Sequence, residues 1–397
     1  MEQCLLSVLH ALKEIDGEII VIDNKSEDGS FEFFQNRFPP VKFVWNTRNI
    51  GFAKANNQAL KMANGQYILF LNPDTILPED CLEKSIDFIR SGNNEVALGI
   101  KMVDGSGNFL KESKRAFPSP ITSFYKLSGL SKLFPRSPTF SKYHLGNLSK
   151  DQNQKVDILA GAFMMIPRTI LDKTGGFDEQ YFMYGEDIDL SYRIQKAGFT
   201  NYYFAGSTIV HFKGESTKKG SLNYVKMFYS AMSIFVKKHY GTQKAGLYSL
   251  FLHMAISFSG TLSAISKLGK ILPIRRNKRS LNKTIVVIAA SEIEFEEVKR
   301  LLNQPSADKQ IAGRIATDNI LNSQTIGSIH DLTNVFSYSG AREIILCQGQ
   351  LSFKQIITLM QRIPKKVSVK VFAKGSHAII GSDNKDLAGD VILKQGA

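Results

Sequence analysis

Short apolar runs alternate with helical patterns along the first 240 residues, and this alternation most strongly constrains the fold. The runs at 18–23, 41–46, 67–72 and 96–102 read EIIVID, VKFVWN, YILFLN and VALGIKM. Near-continuous apolar strands separated by helices are typical of a sheet that is covered on both faces. The sequence therefore predicts an α/β domain with a largely parallel sheet.

Residues 104–155 break the alternation, since they are rich in proline, serine, lysine and aromatic residues and show weak periodicity. We interpret them as a long excursion over the edge of the sheet where α/β proteins place substrate loops. The run VDILAGAFMMI (156–166) predicts another strand, and a strand pattern at 201–212 and a helical pattern at 221–240 follow. The first α/β unit thus continues to about residue 240.

A second α/β unit begins at Lys283, where KTIVVIAAS, AREIILC and KVSVKVF predict strands with helical patterns between them. This unit is smaller, and its pattern is typical of a doubly wound sheet. We therefore divide the chain into a first domain at 1–243, a connecting segment at 244–280 and a second domain at 281–397.

The connecting segment contains an uncharged stretch, 245–266, which has about the length of a bilayer span. Its large apolar residues fall on one helical face, and six basic residues follow between 267 and 279. This pattern favours a helix that lies on an anionic membrane surface. A helix docked on its own protein, with a solvated basic linker after it, is the alternative.

The formal net charge of +14 indicates an acidic partner, such as nucleic acid, anionic lipid or a phosphorylated small molecule. No helix-turn-helix pattern or basic strand interleaved with aromatic residues supports nucleic acid. Cys4, Cys81 and Cys347 are far apart in the sequence, which argues for a reducing compartment and against a disulfide framework or a zinc site.

Polar side chains follow the first predicted strand, at the edge where open α/β sheets bind ligands. Asp23, Asn24, Ser26 and Asp28 carry acceptors that can hold a base or a ribose. The same residue types are also ordinary turn residues, so a plain turn remains the alternative.

Asn49, Gly51, Lys54 and Asn56 lie at the start of the helix that follows the second strand. Free backbone N–H groups at such a helix start, together with a lysine, suit a diphosphate or sugar hydroxyls. Capping of the helix by Asn49 is the structural alternative.

Asp74 follows the third strand, and His211 ends a later one. A carboxylate in this position can bind Mg²⁺ or Mn²⁺, which prefer oxygen ligands, and the histidine could add a second ligand. A single histidine, however, is more often a packed core residue.

Residues 182–193, FMYGEDIDLSYR, cluster Glu186, Asp187 and Asp189 beside Gly185. Three carboxylates among aromatic residues cost free energy unless each has a partner or a chemical role. Acidic residues are also stabilised in the first turn of a helix, so both a structural and a functional interpretation hold for this segment alone.

The order of these motifs is more specific than any one of them. Asp-Asn-x-Ser-x-Asp-Gly-Ser, Asn-x-Gly-Phe-x-x-x-Asn, Asn-Pro-Asp, Gly-Glu-Asp-x-Asp and His-x-x-Gly-Glu-Ser together resemble family 2 glycosyltransferases of the GT-A fold, nearest to the rhamnosyltransferase-like branch. The resemblance covers about residues 1–240. It implies an inverting enzyme that moves a rhamnose-like or other hexose from a nucleotide-diphosphate sugar to a lipid-linked or glycan acceptor in cell-surface polysaccharide synthesis.

By position, the resemblance implies a role for each motif. Asp187 would be the general base that deprotonates the acceptor hydroxyl. The residues that would bind the donor are Asp23, Asn24, Ser26, Asp28, Asn49, Gly51, Lys54 and Asn56. Those that would bind Mg²⁺ or Mn²⁺ are Asp74 and His211, and those that would contact the acceptor or support the base are Glu186, Asp189 and Gly161. With the basic surface and the segment 244–280, this predicts a cytoplasmic enzyme, peripheral on the inner face of the cytoplasmic membrane.

The family usually opens with an apolar strand of the pattern V-x-I-V-x-Y-N, whereas this chain opens with a helical pattern at 2–14. We therefore expect a sheet that lacks its first strand and exposes a central edge, as a truncated gene product or a misplaced start would give. The alternative function is a non-catalytic nucleotide-sugar-binding or scaffold protein derived from a truncated glycosyltransferase.

The second domain carries Gly327-Ser-Ile-His-Asp-Leu, Arg342-Glu-Ile-Ile-Leu and Ile380-Gly-Ser-Asp. These segments resemble the nucleotide- or CoA-binding-like domain of bacterial polyprenyl-phosphate sugar transferases. The first turn, Ala289-Ala-Ser-Glu, lacks G-x-G-x-x-G, which argues against NAD binding by that mechanism. We interpret this domain as a binding or assembly module.

Overall fold

The computed structural model describes two α/β domains that share an apolar interface. The described residues are 1–119, 121–122, 125, 130–212, 222–241, 283–303, 309–318, 320–382 and 390–393. The predicted membrane-surface segment 244–280 lies outside them. Among the helices that are described, none combines the length and the apolarity needed to cross a membrane.

The first domain alternates helices and strands up to Tyr240. Its helices are α1 (Glu2–Ala11), α2 (Ser30–Arg37), α3 (Phe52–Met62), α4 (Cys81–Ser91), α5 (Leu130–Leu133), α6 (Arg168–Thr174), α7 (Glu186–Lys196) and α8 (Leu222–Tyr240). Its strands are β1 (Ile19–Asp23), β2 (Val41–Trp45), β3 (Tyr67–Leu71), β4 (Thr75–Ile76), β5 (Val96–Val103), β6 (Gln154–Lys155), β7 (Phe163–Pro167) and β8 (Thr200–His211). The four strands predicted from the opening apolar runs are all present.

In the part of the chain that is described, the strands of this domain form two separate sheets. β1 and β2 pair in parallel, and the larger sheet has the order β3-β7-β5-β8-β4, with β6 on β8. β5 and β8 are parallel, whereas β7 is antiparallel to both β3 and β5. The largely parallel sheet predicted from sequence is therefore only partly correct, because β7 enters from the long excursion and not from a helical crossover.

The run 156–166 was predicted to be one strand, and only its end is. The strand β7 begins at Phe163, while Ile158 and Leu159 precede it in a connection. Both of these side chains are fully buried, and the backbone N–H of Ile158 donates to the carbonyl of Arg115 at 3.0 Å. The first part of this run is therefore apolar because it is a buried connecting segment, and not because it is a strand.

Helices cover both faces of the central strand β5, which explains its near-continuous apolar sequence. Leu98 packs in one cluster with Leu82 and Ile89 of α4. Ala97 faces the other way, in a cluster with Leu190 and Ile194 of α7. The layers of the domain therefore run helix, sheet, helix.

The second domain has one seven-stranded sheet. Its elements are β9 (Thr284–Ala290), α9 (Glu292–Leu302), β10 (Lys309–Ala316), β11 (Thr325–Ser328), α10 (Leu332–Ser339), β12 (Glu343–Gln348), α11 (Phe353–Met360), β13 (Ser368–Ala373), β14 (Ala378–Gly381) and β15 (Asp390–Leu393). The strand order is β11-β10-β9-β12-β13-β14-β15, parallel up to β13 and antiparallel beyond it. The strand β10 is not predicted from the sequence, because its residues, KQIAGRIA, lack a continuous apolar run.

The two domains are joined by apolar packing and by specific hydrogen bonds. Ile76 and Phe212 of the first domain lie in one buried cluster with Phe353 of the second. Glu79 accepts hydrogen bonds from the backbone N–H of Phe353 at 2.6 Å, at the start of α11. Gln3 of α1 donates to the carbonyls of Val371 and Ala378 at 3.1 and 2.8 Å. The second domain therefore helps to fix α1 on the first.

Candidate active site

A cleft of about 1540 Å³ opens at the carboxyl ends of β1 and β3. Its wall includes Asn24, Asp74, Gly161, Asp187 and His211, which lie far apart in the sequence. Ligands of α/β proteins bind at this edge of the sheet. Because Asn56 lines it as well, the fold brings members of all five sequence motifs to one cavity.

Asp187 lies in the first turn of α7, which begins just after a sharp turn. Tyr184 and Gly185 both have positive φ angles, 70° and 86°. A Cβ on Gly185 would lie 3.0 Å from Ala231 and from the ring of Tyr181, so glycine is needed there for space as well as for conformation. This turn directs the start of α7, with Glu186 and Asp187, into the cleft.

The Asp187 carboxylate is held from two sides. Its Oδ2 accepts hydrogen bonds from Arg115 Nη2 at 2.5 Å and from the backbone N–H of Gly161 at 3.3 Å, and its Oδ1 accepts from the N–H of Ile188 at 2.8 Å. The side chain keeps 14% of its surface accessible. A fixed, ionised and partly accessible carboxylate at a helix N-terminus has the properties of a general base.

Arg115 comes from the long excursion, and sequence reasoning did not identify it. Its Nη2 also donates to the carbonyl of Leu159 at 2.9 Å, which fixes the guanidinium beside Asp187. Burial lowers the pKa of Arg115, but the charge of Asp187 and the Tyr143 side chain raise it above its ordinary value. Arg115 is thus a permanent positive charge that pairs with the candidate base.

Glu186 differs from its neighbour because it is buried and forms no ion pair within the described residues, although the charge of Arg115 acts on it from a distance. Its Oε2 has no hydrogen-bond partner within the described residues. Burial, and then the negative charge of Asp187, raise the pKa of Glu186 to about 8. These causes favour the protonated form of Glu186, whereas the ion pair with Arg115 is made by Asp187.

The raised pKa of Glu186 predicts a pH dependence of stability. The native state retains a proton that the unfolded chain releases above pH ~4.5, so the free energy of unfolding falls as the pH rises through about 8. Glutamine does not titrate, so Glu186→Gln lacks this loss of stability. Between pH 5.5 and 9, the decrease in Tm should therefore be smaller in the variant than in the wild type, by roughly 5 °C. Thermal unfolding at both pH values tests this, with the exposed Glu95→Gln as control. Equal pH dependence in wild type and Glu186→Gln would contradict it.

Asp189, the third carboxylate, faces away from the cleft into a cluster of basic side chains. It is fully buried, and it accepts hydrogen bonds from Arg193 at 2.7 Å, Lys238 at 2.9 Å and His239 at 2.7 Å. Lys238 and His239 belong to α8. Of the two roles that the sequence left open, the geometry favours support over acceptor contact, since Asp189 ties α7 to α8.

Asp74 and His211 form a pair because β4 and β8 are adjacent. Thr75 is in register with His211, which brings Asp74 Oδ1 to 3.2 Å from His211 Nε2. Burial raises the pKa of Asp74, but the hydrogen bond with His211, the charge interaction with that residue and a backbone hydrogen bond together hold the pKa below its ordinary value. An ionised carboxylate beside an imidazole can hold a divalent cation. No group of three or more histidine, cysteine, aspartate or glutamate residues with metal-site geometry occurs in the described part of the chain.

Asn24 connects the two loops that were predicted to bind a donor. Its Nδ2 donates to Asn49 Oδ1 at 2.9 Å, and its Oδ1 accepts from the N–H of Ile50 at 3.0 Å. Asp23 Oδ1 accepts from the N–H of Ser26 at 2.7 Å, and Asp28 accepts from the N–H of Ser30 at 3.1 Å. Asn24 lines the cleft directly, whereas Asp23, Ser26 and Asp28 shape the loop behind it.

The helix α3 presents only part of its predicted motif to the cleft. Asn56 lines the cavity, while Lys54 is exposed and does not. Gly51 has φ 89°, and a Cβ there would lie 2.8 Å from the ring of Phe182, so this glycine permits close packing against the segment before α7. The interpretation of Lys54 as a donor ligand receives no geometric support, because one turn of helix carries it to the solvent side.

A fixed carboxylate and an Asp–His pair in one cleft of an α/β domain are suited to group-transfer chemistry, in which one group takes a proton and the other holds a cation. Comparison with known proteins indicates which kind of transferase the chain resembles. Residues 1–175 match the family model described as "Glycosyl transferase family 2". The chain is 27% identical over 286 residues to the N-acetylglucosaminyl-diphospho-decaprenol L-rhamnosyltransferase of Mycobacterium tuberculosis, which covers 69% of this chain and 90% of that protein.

A second relative is the rhamnosyltransferase WbbL of Escherichia coli, with 31% identity over 173 residues, 41% of this chain and 61% of that protein. Among solved structures, a mannosyltransferase from Pyrobaculum calidifontis in complex with GDP-Man and Mn²⁺ aligns with a TM-score of 0.38 and 16% identity, over 69% of this chain and 76% of that one. Residues 1–175 of the chain thus form a glycosyltransferase family 2 domain. The domain makes the chain a glycosyltransferase, and both relatives named here are rhamnosyltransferases.

Proposed function

We propose that this protein transfers a hexose, such as rhamnose, from a nucleotide-diphosphate sugar to a hydroxyl group of a lipid-linked or glycan acceptor, with inversion at the anomeric carbon. One observation carries the proposal: the cleft contains both the Arg115-paired Asp187 and the Asp74–His211 pair. An inverting transfer needs a base beside the acceptor and stabilisation of the departing diphosphate, and these two groups suit those two tasks.

In this mechanism the acceptor hydroxyl lies against Asp187. The hydroxyl oxygen forms a bond to the anomeric carbon, the bond from that carbon to the diphosphate breaks, and the hydroxyl proton moves to the Asp187 carboxylate. Arg115 and the N–H of Gly161 orient the carboxylate by holding Oδ2. In its protonated form, which burial favours, Glu186 adds no second negative charge beside the acceptor.

Asp74 and His211 would hold a divalent cation, Mg²⁺ or Mn²⁺. Such a cation is commonly bound by one or two protein ligands together with phosphate oxygens of the substrate, and a two-residue site fits that mode. When bound, it would neutralise charge on the donor diphosphate. Asn24 and Asn56 would contact the nucleotide part of the donor, since both line the cleft and Asn24 also joins the two loops beside it.

The curated relatives support a cell-envelope role. The mycobacterial relative is described as acting on N-acetylglucosaminyl-diphospho-decaprenol, a lipid-linked sugar. A net charge of +14 suits an acceptor of this kind at an anionic membrane surface. We accordingly propose peripheral association with the inner face of the cytoplasmic membrane through residues 244–280.

Donor binding tests the site directly. Titration calorimetry with dTDP-, UDP- and GDP-sugars should detect binding of at least one donor in the presence of Mn²⁺. Asp74→Asn should weaken that binding by ~10–100-fold, because it removes the charge of one of the two cation ligands. The exposed Asp172→Asn is the matched control. Equal donor affinity of wild type and Asp74→Asn, or no binding of any donor, would count against the proposal.

A further inference from the structure

Asp74 directly precedes β4, which is the outermost strand of the larger sheet of the first domain. This strand has only two residues, and within the described part of the chain it pairs with β8 alone. The backbone N–H of Phe212 also donates to the carbonyl of Asp74 at 3.0 Å. Because so short an edge strand forms few hydrogen bonds of its own, the position of the Asp74–His211 pair depends on what packs against β4.

The second domain packs against this part of the sheet. Ile76 and Phe212, which are 1% and 5% exposed, lie in one buried cluster with Phe353 and Ile356 of α11. Ile76 belongs to β4, and Phe212 directly follows His211 in the chain. Each member of the Asp–His pair therefore has a near neighbour in sequence whose side chain is buried against the second domain.

A carboxylate of the first domain also binds the start of α11. Glu79 Oε1 accepts a hydrogen bond from the N–H of Phe353 at 2.6 Å, and its Oε2 accepts one from the N–H of Lys354 at 3.1 Å. The third N–H of the helix, that of Gln355, donates to Ser352 Oγ at 3.1 Å. Negative charge is favoured at a helix N-terminus, and hydrogen bonds to an ionised carboxylate are stronger than neutral ones. Glu79 is thus a specific contact between the two domains.

The chain between Asp74 and Glu79 is packed along its whole length. Residues 75–78 are all buried. The backbone N–H of Leu77 donates to the fully buried Ser7 Oγ of α1 at 3.1 Å. Because a close-packed segment transmits a displacement instead of absorbing it, the position of Glu79 influences the position of Asp74.

The turn after β5 makes a second and separate contact with the second domain. A Cβ on Gly105 would lie 2.7 Å from the carbonyl oxygen of Ser382 and 3.1 Å from the ring of Phe212. Glycine thus permits the close approach of the two domains at this point. A larger residue here would press on the second domain and on the residue that follows His211.

We propose that the second domain positions the Asp74–His211 pair, and that Glu79 is the positioning residue through which α11 holds β4. The role of this pair in binding a cation and the donor diphosphate rests on the proposed function. Asp187, by contrast, is held by Arg115 and Gly161 of the first domain. Weakening of the contact at Glu79 would therefore reduce cation and donor binding and leave the proton transfer to Asp187 unchanged.

Hydrogen exchange in the full chain tests whether the second domain holds β4. Glu79→Gln removes the charge at the start of α11, and Gly105→Ala crowds the separate contact. In both variants, exchange of the amides at 75–77 and of Phe212 should speed up by at least about tenfold. Exchange in β3, at the opposite end of the sheet, should stay unchanged. The exposed Glu95→Gln is the matched control.

Binding measurements test whether this support matters for the site. Calorimetry with Mn²⁺ and a nucleotide-diphosphate sugar should show that Glu79→Gln weakens donor affinity by about tenfold, as loss of support behind a metal ligand does. The transfer rate at saturating donor and Mn²⁺ should stay within about twofold of the wild-type rate. Glu79→Asp keeps the charge on a shorter side chain, so its donor affinity should lie between the two.

Unchanged exchange at 75–77 in both variants would overturn the proposal. Equal acceleration in β4 and β3 would also overturn it, since that result would mean a general loss of stability. Faster exchange at β4 with unchanged affinity for Mn²⁺ and donor would show that the pair does not depend on the second domain. If the wild type bound no donor, the proposed function would fail, and the exchange data with a titration of Mn²⁺ alone would still decide this proposal.

Discussion

Asp187→Asn is expected to lower sugar transfer by at least about 100-fold while donor affinity changes by no more than about twofold. Asparagine retains an oxygen that can accept from Arg115 and from the N–H of Gly161, so the local structure should persist. What it loses is the ability to take a proton from the acceptor hydroxyl. The result should therefore be a loss of kcat with intact donor binding.

The measurement pairs calorimetric donor binding with single-turnover transfer. The control is Asp172→Asn, an exposed aspartate on the neighbouring helix α6. Arg115→Lys provides a second comparison, because lysine keeps the charge but cannot bond both Asp187 and the carbonyl of Leu159 in the same geometry. If Asp187→Asn lost donor binding and transfer in equal measure, Asp187 would be a structural residue.

The position of Asp187 could be predicted from sequence, but its environment could not. The Gly-Glu-Asp-x-Asp pattern places a carboxylate in the first turn of a helix, and this is a local property. Arg115 is 72 residues away in a segment of weak periodicity, so no spacing rule connects it to Asp187. Only the packing of the excursion against α7 brings the two side chains together.

The same distinction between local sequence and tertiary packing applies to the three carboxylates of this segment, Glu186, Asp187 and Asp189. Local pattern alone cannot separate the roles of these similar carboxylates, since all three lie in the first turn of one helix. The helix turns Asp187 to the cleft, Glu186 to an unpaired buried position and Asp189 to α8. The role of each carboxylate therefore depends on which side chains its face of the helix contacts.

The first helix and the strand after it also show which features local sequence patterns can predict and which they cannot. The helix at 2–14 and the strand at 18–23 were both predicted correctly from local patterns, as α1 and β1. That β1 would pair with β2 and not with β3 depends on strand order, which local patterns do not determine. The exposure of apolar β1 residues is therefore visible only in the folded chain.

Asp189→Asn should cause the largest loss of stability of the substitutions considered. It removes the charge that pairs with Arg193 and Lys238, and it alters the hydrogen bond to His239, whose pKa is lowered by burial. Removing only the negative partner of such a cluster leaves positive charge uncompensated. This lowers the free energy of unfolding by about 3–5 kcal/mol. For a chain of this size, Tm should fall by roughly 10 °C at pH 7, whereas Asp172→Asn should leave it unchanged.

The pH dependence separates this role from a catalytic one. Burial raises the pKa of Asp189, but hydrogen bonds from Lys238 and His239 outweigh it and hold that pKa below its ordinary value. Its stabilising contribution is therefore present above pH ~4 and is lost as the pH falls through the native-state pKa. The difference in Tm between wild type and Asp189→Asn should shrink on acidification below pH 4. A difference that persisted there, or a transfer rate per folded molecule that fell as in Asp187→Asn, would place Asp189 in the chemistry of the cleft instead.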